Sequence, residues 1–561
     1  MNHINFDLES KLYITTNPPY NTGNDFVYPD DYRDNLENYL RITGQKDEDG
    51  NKISSNSEGG GRHHTKWLNM MYPRLRLARN LLSDDGVIFI SIDDNEVDNL
   101  KKICNEIFGD ENFINNISIK MSEVSGNKMT HSNKKFPKIK EYLLVYARND
   151  INLNPIKIKK KKWDSEYNKA FINFTIEDRL KIKEIELKEN ILEEDIIIID
   201  KIFEKVREVS VSELIKKEKV KDEEKEEWLM RNSYRIFRTA SSSSVKSLVD
   251  CKKDFNPNMF FSVISRKEKK LYISKCNYLS NSKSPRVQVL FSDEYLEYTI
   301  GDLWTDISTT GLEFEGGINF KNGKKPLSLI NRVLNASCKS KDIVLDFFSG
   351  SSTTAHAVMQ LNAEDKGNRK FIMVQLPEEC DEKSEAFKAG YKNICEIGKE
   401  RIRRAGDKIV EENKDKEGIE DLDIGFKVFK LDTSNIKPWN PDYDNIEMTL
   451  EDSIDNFVPD RTQEDIVYEI MLKYGIDLTY PVKIREADGK KIFSIGFGAL
   501  LVCLDDDITL EAVNEIVKLK EELNPETCRV VFKDNGFKTD SVKTNAVEIL
   551  KRNDVKDIMS I

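Results

Sequence analysis

The sequence has no long hydrophobic run. Its longest aliphatic stretches, such as residues 196–199, are much shorter than the roughly 20 residues that cross a bilayer. The first ten residues lack the basic segment and apolar stretch of a signal peptide. The 8 cysteines are scattered singly without C-x-x-C spacing, which argues against a zinc site and a disulfide framework. These absences predict a cytoplasmic protein with reduced thiols and no membrane contact.

Several catalytic signatures are also missing. The 5 histidines form no H-x-x-x-H or H-E-x-x-H pattern, so we expect no catalytic metal. No cysteine follows a proline, which argues against methylation of cytosine C5 through a thiolate. The chain contains no G-x-x-x-x-G-K-[ST] phosphate loop, and we therefore expect that it does not itself hydrolyse ATP.

The charge is unevenly distributed along the 561 residues, which are 33% charged with a net charge of −12. Residues 420–561 carry 18 basic against 30 acidic residues, which accounts for −12. Residues 116–163 carry 12 basic against 3 acidic residues, giving +9. The basic stretch, including the lysine run at 157–162, favours contact with DNA phosphates over a merely solvated face. The acidic C-terminal part is better suited to a protein partner.

The chain alternates in character. Residues 10–115 read as α/β, and 116–300 mix lysine-rich and charged segments with short β-like pieces. From 301 the α/β pattern returns, and a further α/β segment begins near 421. We predict one α/β sheet domain, in two halves at 1–115 and 301–410, interrupted by a module at 116–300. A C-terminal domain would occupy 421–561.

Local patterns predict individual elements. Trp67, Met71, Leu75, Ala78 and Leu82 recur at helical spacing, with a possible kink at Pro73. Asp94 is a candidate cap for the next helix, which we expect to stop at Gly109. Thr462 and Asp465 form a possible capping box. The charged stretch at 176–228 predicts exposed helices.

The strongest local signal for chemistry is Asn17-Pro18-Pro19-Tyr20, directly after a predicted strand. An exocyclic amine is a poor nucleophile because its lone pair is delocalised into the base. The Asn17 side-chain oxygen and the Pro18 carbonyl could accept both amine protons, and the two prolines would stiffen the turn. The Tyr20 ring could stack on a base taken out of the duplex. The alternative is a plain turn after a strand.

A second signal, DFFSGSSTT at 346–354, lies between a predicted strand and a helix. Small residues at a strand's carboxyl end let a ligand approach the backbone, and the helix N-terminus favours a carboxylate. The segment fits neither a dinucleotide fingerprint nor a phosphate loop. Lys325, at the start of another predicted helix, could neutralise a carboxylate. A solvated turn lysine is the plainer alternative.

Together these segments resemble the beta-class amino-methyltransferases, in which NPPY precedes a variable insert, K-P-L and DFFSGSSTTAHAV. Longer strings are similar to the modification subunits of Type III restriction–modification systems. They include NPPYNTGNDFVYPDDY, WTDISTTGLEFEGGINFKNGKKPLSLI, FIMVQLPE and LDTSNIKPWN. The likeness covers nearly the whole chain.

The resemblance implies a Rossmann-like fold that binds S-adenosyl-methionine and methylates adenine N6 in double-stranded DNA. Residues 116–300 would recognise the target. The C-terminal domain would contact a second copy in a homodimer and an ATP-dependent restriction subunit. The implied catalytic residues are Asn17, Pro18, Pro19 and Tyr20. The implied cofactor residues are Lys325, Pro326, Asp346, Phe348, Ser349, Gly350, Ser352 and Gln375.

The sequence departs from the family pattern at four points. Asn17 stands where Asp is usual, Ser352 where many relatives have a second glycine, and Gln375 where an acidic residue often holds the cofactor ribose. In addition, only about ten residues precede KLYIT, where the family has a further strand–helix unit. This last departure motivates the alternative of a shortened, catalytically impaired subunit that recognises DNA and recruits a partner. An RNA methyltransferase would use the same N-P-P-Y chemistry, and the large basic insert argues against it.

Overall fold

The computed structural model describes residues 11–22, 64–122, 136–160, 163–188, 190–265, 270–278, 284–318, 324–437 and 456–561. The strands in chain order are β1 (Leu12–Thr16), β2 (Val87–Ile92), β3 (Phe113–Lys120), β4 (Lys140–Ala147), β5 (Lys157–Lys159), β6 (Lys169–Ile172), β7 (Arg207–Ser210), β8 (Ile236–Ser241), β9 (Phe260–Ser265), β10 (Lys270–Lys275), β11 (Arg286–Phe291), β12 (Glu297–Thr299), β13 (Leu303–Trp304), β14 (Ile343–Asp346), β15 (Lys370–Met373), β16 (Val482–Ala487), β17 (Lys490–Ile495), β18 (Leu500–Cys503), β19 (Arg529–Phe532) and β20 (Asp557–Ser560). The α-helices are α1 (Thr65–Leu81), α2 (Val97–Phe108), α3 (Ile176–Glu186), α4 (Glu193–Glu204), α5 (Val211–Lys217), α6 (Lys225–Arg231), α7 (Ser243–Lys252), α8 (Ser292–Tyr295), α9 (Leu327–Ser337), α10 (Thr353–Asp365), α11 (Glu385–Lys388), α12 (Ile394–Glu412), α13 (Gln463–Tyr474), α14 (Leu510–Leu523) and α15 (Asp540–Arg552).

The central sheet has seven strands in the order β13-β3-β4-β2-β1-β14-β15. Every neighbouring pair is parallel except the two pairs that include β4. Strand β4 therefore runs against the other six. The first described strand, β1, lies inside the sheet, where Ile14 pairs with Ile88 on one side and with Leu345 on the other.

Helices cover both faces of this sheet. Every residue of β2 is buried, as expected for a strand covered on two sides. On one face the sheet packs on the apolar stripes of α1 and α2, which include Trp67 and Leu100. On the other face it packs on α9 and α10, through residues such as Val333 and Val358. The predicted α/β class is confirmed, and the parallel pairing of β14 with β15 across α10 agrees with the predicted strand–helix–strand unit.

Most local predictions hold. Helix α1 buries the predicted stripe and continues through Pro73, and α2 ends at Gly109, whose φ is 95°. The predicted cap at Asp94 is wrong. Helix α2 begins at Val97 without a side-chain cap, and Asp94 instead accepts a 2.8 Å hydrogen bond from the Tyr142 hydroxyl. The capping box of α13 is confirmed by reciprocal bonds between Thr462 and Asp465.

The inserted part forms its own layer. Strands β6 to β11 make a six-stranded antiparallel sheet in the order β7-β6-β8-β11-β10-β9. Its core is aromatic, with the Phe171 and Phe237 rings stacked 4.0 Å apart. The predicted helices of the charged stretch are present as α3 to α6. The central sheet, however, continues through β3 and β4, so the predicted boundary at 115/116 falls inside a strand because β4 must pair with β2.

The C-terminal part is a separate α/β layer around the five-stranded sheet β16-β17-β18-β19-β20. Strands β18, β19 and β20 are parallel, and α14 and α15 pack on the same core. All eight cysteines are free thiols. Among the described residues, no helix is long and apolar enough to span a membrane.

Candidate active site

The two predicted motifs meet at one edge of the central sheet. Strands β1 and β14 are parallel neighbours, so their carboxyl ends lie side by side. Asn17 follows β1 directly, and Asp346 is the last residue of β14. A pocket opens between them. It is lined by Thr15, Thr16, Asn17, Ser91, Lys325, Ile330, Asp346, Phe348, Ser349, Gly350, Ser351, Thr353 and Thr354. This is the position at which open α/β sheets bind ligands.

The turn at 17–20 is held from three sides. The indole N–H of Trp67, on α1, donates a 2.7 Å bond to the Pro19 carbonyl in the protein interior. The Tyr20 hydroxyl donates to Glu141 at 3.0 Å. Beyond the turn, the Asn21 amide donates to the buried Glu96 carboxylate at 2.6 Å. Pro18 and Pro19 are buried, whereas Asn17 and Tyr20 are half-buried. The turn is therefore fixed while two of its side chains reach the surface of the site.

Asp346 is a buried carboxylate, 5% exposed, at the end of β14. It accepts a 2.7 Å bond from the Thr354 hydroxyl and a 3.2 Å bond from the Phe348 backbone N–H. Burial raises the pKa of Asp346 to about 6, and the bonds from Thr354 and Phe348 act in the opposite direction. The Asp346 carboxylate is therefore a strong hydrogen-bond acceptor whose charged form is disfavoured by burial.

The loop from β14 to α10 depends on backbone that favours glycine. Gly350 has a φ of 51°, and no atom lies within 4 Å of where a Cβ would stand. Ser352 also has a positive φ, 58°, a backbone conformation that favours glycine. A Cβ at Gly398 on α12 would lie 2.6 Å from the Ser352 hydroxyl, so this helix packs directly on the loop. The Gln375 side-chain oxygen accepts a 2.8 Å bond from the Gly350 N–H.

Lys325 is not a solvated turn lysine, because it is only 8% exposed. Its ammonium contacts the Glu141 carboxylate and the Tyr20 hydroxyl, and it lies 4.7 Å from the centre of the Tyr20 ring. Pro326 is the N-cap residue of α9. Lys325 therefore joins the start of α9 to the turn that follows β1.

A buried cation supports the loop from behind. Arg401, on α12, is fully buried and donates to the hydroxyls of Ser351 at 3.0 Å and Thr353 at 2.7 Å. It also contacts the Glu315 carboxylate at 3.3 Å. Burial lowers the pKa of Arg401 to about 10. The carboxylate of Glu315 in turn accepts a 2.9 Å bond from the Leu327 N–H at the start of α9. The ion pair between Arg401 and Glu315 thus links the loop after β14 to the start of α9.

The pocket contains part of the predicted set. Six of the predicted residues line it: Asn17, Lys325, Asp346, Phe348, Ser349 and Gly350. The other six predicted residues do not line it: Pro18, Pro19, Tyr20, Pro326, Ser352 and Gln375. The predicted set omits seven lining residues: Thr15, Thr16, Ser91, Ile330, Ser351, Thr353 and Thr354. The last three lie within the predicted segment 346–354. For Ser91 and Ile330 only their place near the end of a parallel strand or the start of a helix could have indicated them.

Among the described residues, no group of three or more histidine, cysteine, aspartate or glutamate side chains could hold a metal ion. The lysine run predicted to meet DNA is described in part, and Lys157–Lys159 forms β5, which pairs with β12. The rest of the run at 161–162 lies outside the described residues.

A known protein family matches most of the chain. The sequence profile of a family described as DNA methylase matches residues 13–405, which include the turn, the insert and the loop after β14. The chain belongs to the DNA methylase family. The predicted Rossmann-like methyltransferase fold is thereby established for the central sheet, in which β4 is the one antiparallel strand among those described.

The chain is similar over most of its length to modification subunits of Type III restriction–modification enzymes. The EcoPI Mod subunit of Escherichia phage P1 is 32% identical over 414 residues, which is 71% of this chain and 59% of that protein. The EcoP15I Mod subunit of Escherichia coli is 28% identical over 557 residues, covering 96% and 79% respectively. Among solved structures, the M1.HpyAVI–SAM complex is 12% identical with a TM-score of 0.26, covering 70% of this chain and 89% of that one.

Proposed function

We propose that this protein transfers a methyl group from S-adenosyl-methionine to N6 of adenine in double-stranded DNA, as the modification subunit of a Type III restriction–modification system. The observation that carries the proposal is the shared pocket. Asn17, directly after β1, and Asp346, at the end of β14, line the same cavity at the carboxyl edge of the sheet. Family membership and the similarity to Mod subunits support it.

The turn would orient the target amine. Asn17 Oδ1 and the Pro18 carbonyl accept hydrogen bonds from its two N–H groups. These bonds favour a pyramidal nitrogen whose lone pair points at the methyl donor. The Tyr20 ring stacks on the flipped base. The bond from Trp67 to the Pro19 carbonyl fixes the backbone before the base arrives, so little ordering remains for the reactive complex.

The residues around Asp346 fit S-adenosyl-methionine. The side of the loop at Gly350 is open, because no atom stands where a Cβ would be. The amino end of α10 suits the methionine carboxylate, and the buried Asp346 supplies an acceptor. When bound, the cofactor supplies a sulfonium methyl with a good leaving group, so no covalent intermediate on the protein is needed.

The remaining assignments follow from position. Residues 116–300 include the antiparallel sheet β6 to β11, which we assign to target recognition. The acidic domain at 421–561 we assign to contacts with a second copy and with a restriction subunit. Size-exclusion chromatography with light scattering would test the homodimer, since a monomer at micromolar concentration contradicts it. Co-purification with and without residues 421–561 would test the restriction partner.

The activity test uses S-adenosyl-methionine with a labelled methyl group and unmethylated plasmid DNA. Mass spectrometry of the nucleosides should find N6-methyladenine, and Asn17→Ala should lower the rate at least a hundredfold because one of two proton acceptors is lost. Asn17→Asp keeps an acceptor and should retain measurable activity. Label on cytosine N4 would contradict the adenine assignment. Label on RNA but not on DNA would contradict the substrate class.

Cofactor binding separates the active enzyme from the impaired alternative. Titration calorimetry should detect S-adenosyl-methionine binding to the wild type and its loss in Asp346→Ala. A folded wild type that binds DNA, but does not bind the cofactor and transfers no labelled methyl group, would favour the alternative of an impaired subunit that recognises DNA and recruits a partner.

A further inference from the structure

Among the described strands of the central sheet, only β4 is antiparallel to its neighbours, and it brings a carboxylate to the edge where the pocket lies. Because β4 runs against its neighbours, its first residues lie where the other strands end. Tyr142 pairs with Ile92, the last residue of β2. Glu141, next to it, therefore stands at the edge of the sheet beside the turn that follows β1. A strand of the usual direction would present its last residue there instead.

Glu141 contacts two residues of the site at once. One of its oxygens accepts a 3.0 Å hydrogen bond from the Tyr20 hydroxyl, and the same oxygen contacts the Lys325 ammonium. The side chain of Lys325 is 9% exposed and that of Glu141 26% exposed. The ion pair is thus shielded from solvent screening, unlike a surface pair.

We propose that Glu141 is a positioning residue, whose carboxylate holds the Tyr20 ring in the orientation that stacks on the base. The Lys325 ammonium contacts both side chains and links them. The Trp67 bond fixes the backbone of the turn, and the Tyr20 side chain is partly buried against the core. The hydroxyl bond to Glu141, with the Lys325 ammonium 4.7 Å from the ring centre, further restricts the orientation of the ring.

The same contacts define what Lys325 does. Its ammonium already has a carboxylate partner within the protein, so its main role is to tie α9 to the turn rather than to neutralise the cofactor carboxylate. This inference rests on the proposed function, since a stacking orientation matters only if a base is bound.

The test compares Glu141→Ala, Glu141→Gln and Tyr20→Phe with the double variant Glu141→Ala/Tyr20→Phe. Glu106→Gln is the matched control, because Glu106 accepts a 2.6 Å bond from the Tyr72 hydroxyl on an exposed surface away from the turn. Initial rates of methyl transfer to plasmid DNA give kcat and the KM for DNA. Calorimetry gives the Kd for S-adenosyl-methionine, and thermal unfolding checks that each variant is folded.

We expect Glu141→Ala to lower kcat at least tenfold while the cofactor Kd stays within threefold of the wild type. Glu141→Gln, which keeps an acceptor for Tyr20, should recover part of the loss. The double variant should be no slower than the slower single variant, because both remove the same contact. The control should match the wild type in every measurement.

Three results would overturn the proposal. One is wild-type kcat in a folded Glu141→Ala variant. Another is full additivity of the two single losses. The third is a cofactor Kd that tightens tenfold in Glu141→Ala, since Lys325 would then be a cofactor ligand that Glu141 restrains. A wild type that methylates no DNA would remove the proposed function as well, whereas these three results leave that function standing.

Discussion

The Thr354 hydroxyl, in the first turn of α10, donates a 2.7 Å hydrogen bond to the carboxylate of Asp346 at the end of β14. Both groups are buried, and the bond closes the loop between strand and helix. It joins the two ends of the segment that we assign to the cofactor, so its loss should affect both stability and binding.

Replacing Thr354 by valine keeps the shape of the side chain and removes this donor. A buried acceptor left with one partner fewer costs about 1–3 kcal/mol. We therefore expect Thr354→Val to lower Tm by about 2–12 °C, at roughly 2–4 °C per kcal/mol for a domain of this size. The Kd for S-adenosyl-methionine should rise at least threefold. Thr544→Val, at an exposed helical site where the hydroxyl bonds only to Asp540, is the control. Equal Tm values for the two variants would contradict the assigned role.

The stability contributed by Asp346 should depend on pH. Burial raises the pKa of its carboxyl group from 3.8 to about 6, so the folded protein binds the proton more tightly than the unfolded chain. The contribution is fully present below pH 3.8 and is lost as the pH rises to about 6. Asp346→Asn removes this titration. From pH 5 to pH 7 the wild type should lose about 1 kcal/mol of unfolding free energy relative to the variant, because only the wild type carries this titrating group. Parallel urea curves at the two pH values would measure it, and an unchanged difference would contradict the raised pKa.

Loss of the Trp67 indole donor should slow catalysis without removing the cofactor site. Trp67→Phe keeps most of the buried ring and removes the 2.7 Å bond to the Pro19 carbonyl. We expect kcat for methyl transfer to fall about tenfold, because the carbonyl of the neighbouring Pro18 is no longer held in direction. The Kd for S-adenosyl-methionine should change less than twofold. A variant with normal kcat would show that the two prolines fix the turn without help.

Arg401 should be essential for the loops around the pocket. Arg401→Met leaves the hydroxyls of Ser351 and Thr353 and the Glu315 carboxylate without their buried donor. We expect a loss of at least about 2 kcal/mol in unfolding free energy. Arg403→Met is matched to it on the same helix, where the guanidinium is exposed and its pair with Glu400 is 3.8 Å long. The control should lose less than about 1 kcal/mol. Similar losses in both variants would argue against a bracing role.

The helices and strands were largely predictable because their signals are local. The stripe of Trp67, Met71 and Leu75 fixes α1, and the aliphatic run of β2 fixes a buried strand. The cap predicted at Asp94 is wrong because the helix begins only at Val97 and the Asp94 carboxylate accepts a tertiary bond from Tyr142 instead. The boundary at 115/116 was drawn from composition, whereas the pairing of β3 with β4 decides where the sheet ends.

The site was predictable where a motif is contiguous and not where the fold assembles it. Asn17 and Asp346 are readable because each follows its own strand. Glu141 carries no local signal, and only the reversed direction of β4 brings it to Tyr20. For Gln375 the sequence suggests a ribose contact, whereas its side-chain oxygen accepts a bond from the Gly350 backbone. The residues that brace a pocket are chosen by tertiary contacts, which a single sequence does not display.

The position of β1 inside the sheet has a consequence for synthesis on the ribosome. Of its two neighbours, β2 is synthesised soon after it and β14 much later. The Lys11 N–H, just before β1, bonds to Asp342, which lies 331 residues further along the chain. At roughly 5–20 residues per second, that interval lasts about 15 to 65 seconds. During this time β1 offers an unpaired edge to the cell, and the insert, which has its own sheet and core, emerges in between. The pocket between β1 and β14 can close only after the insert has left the ribosome.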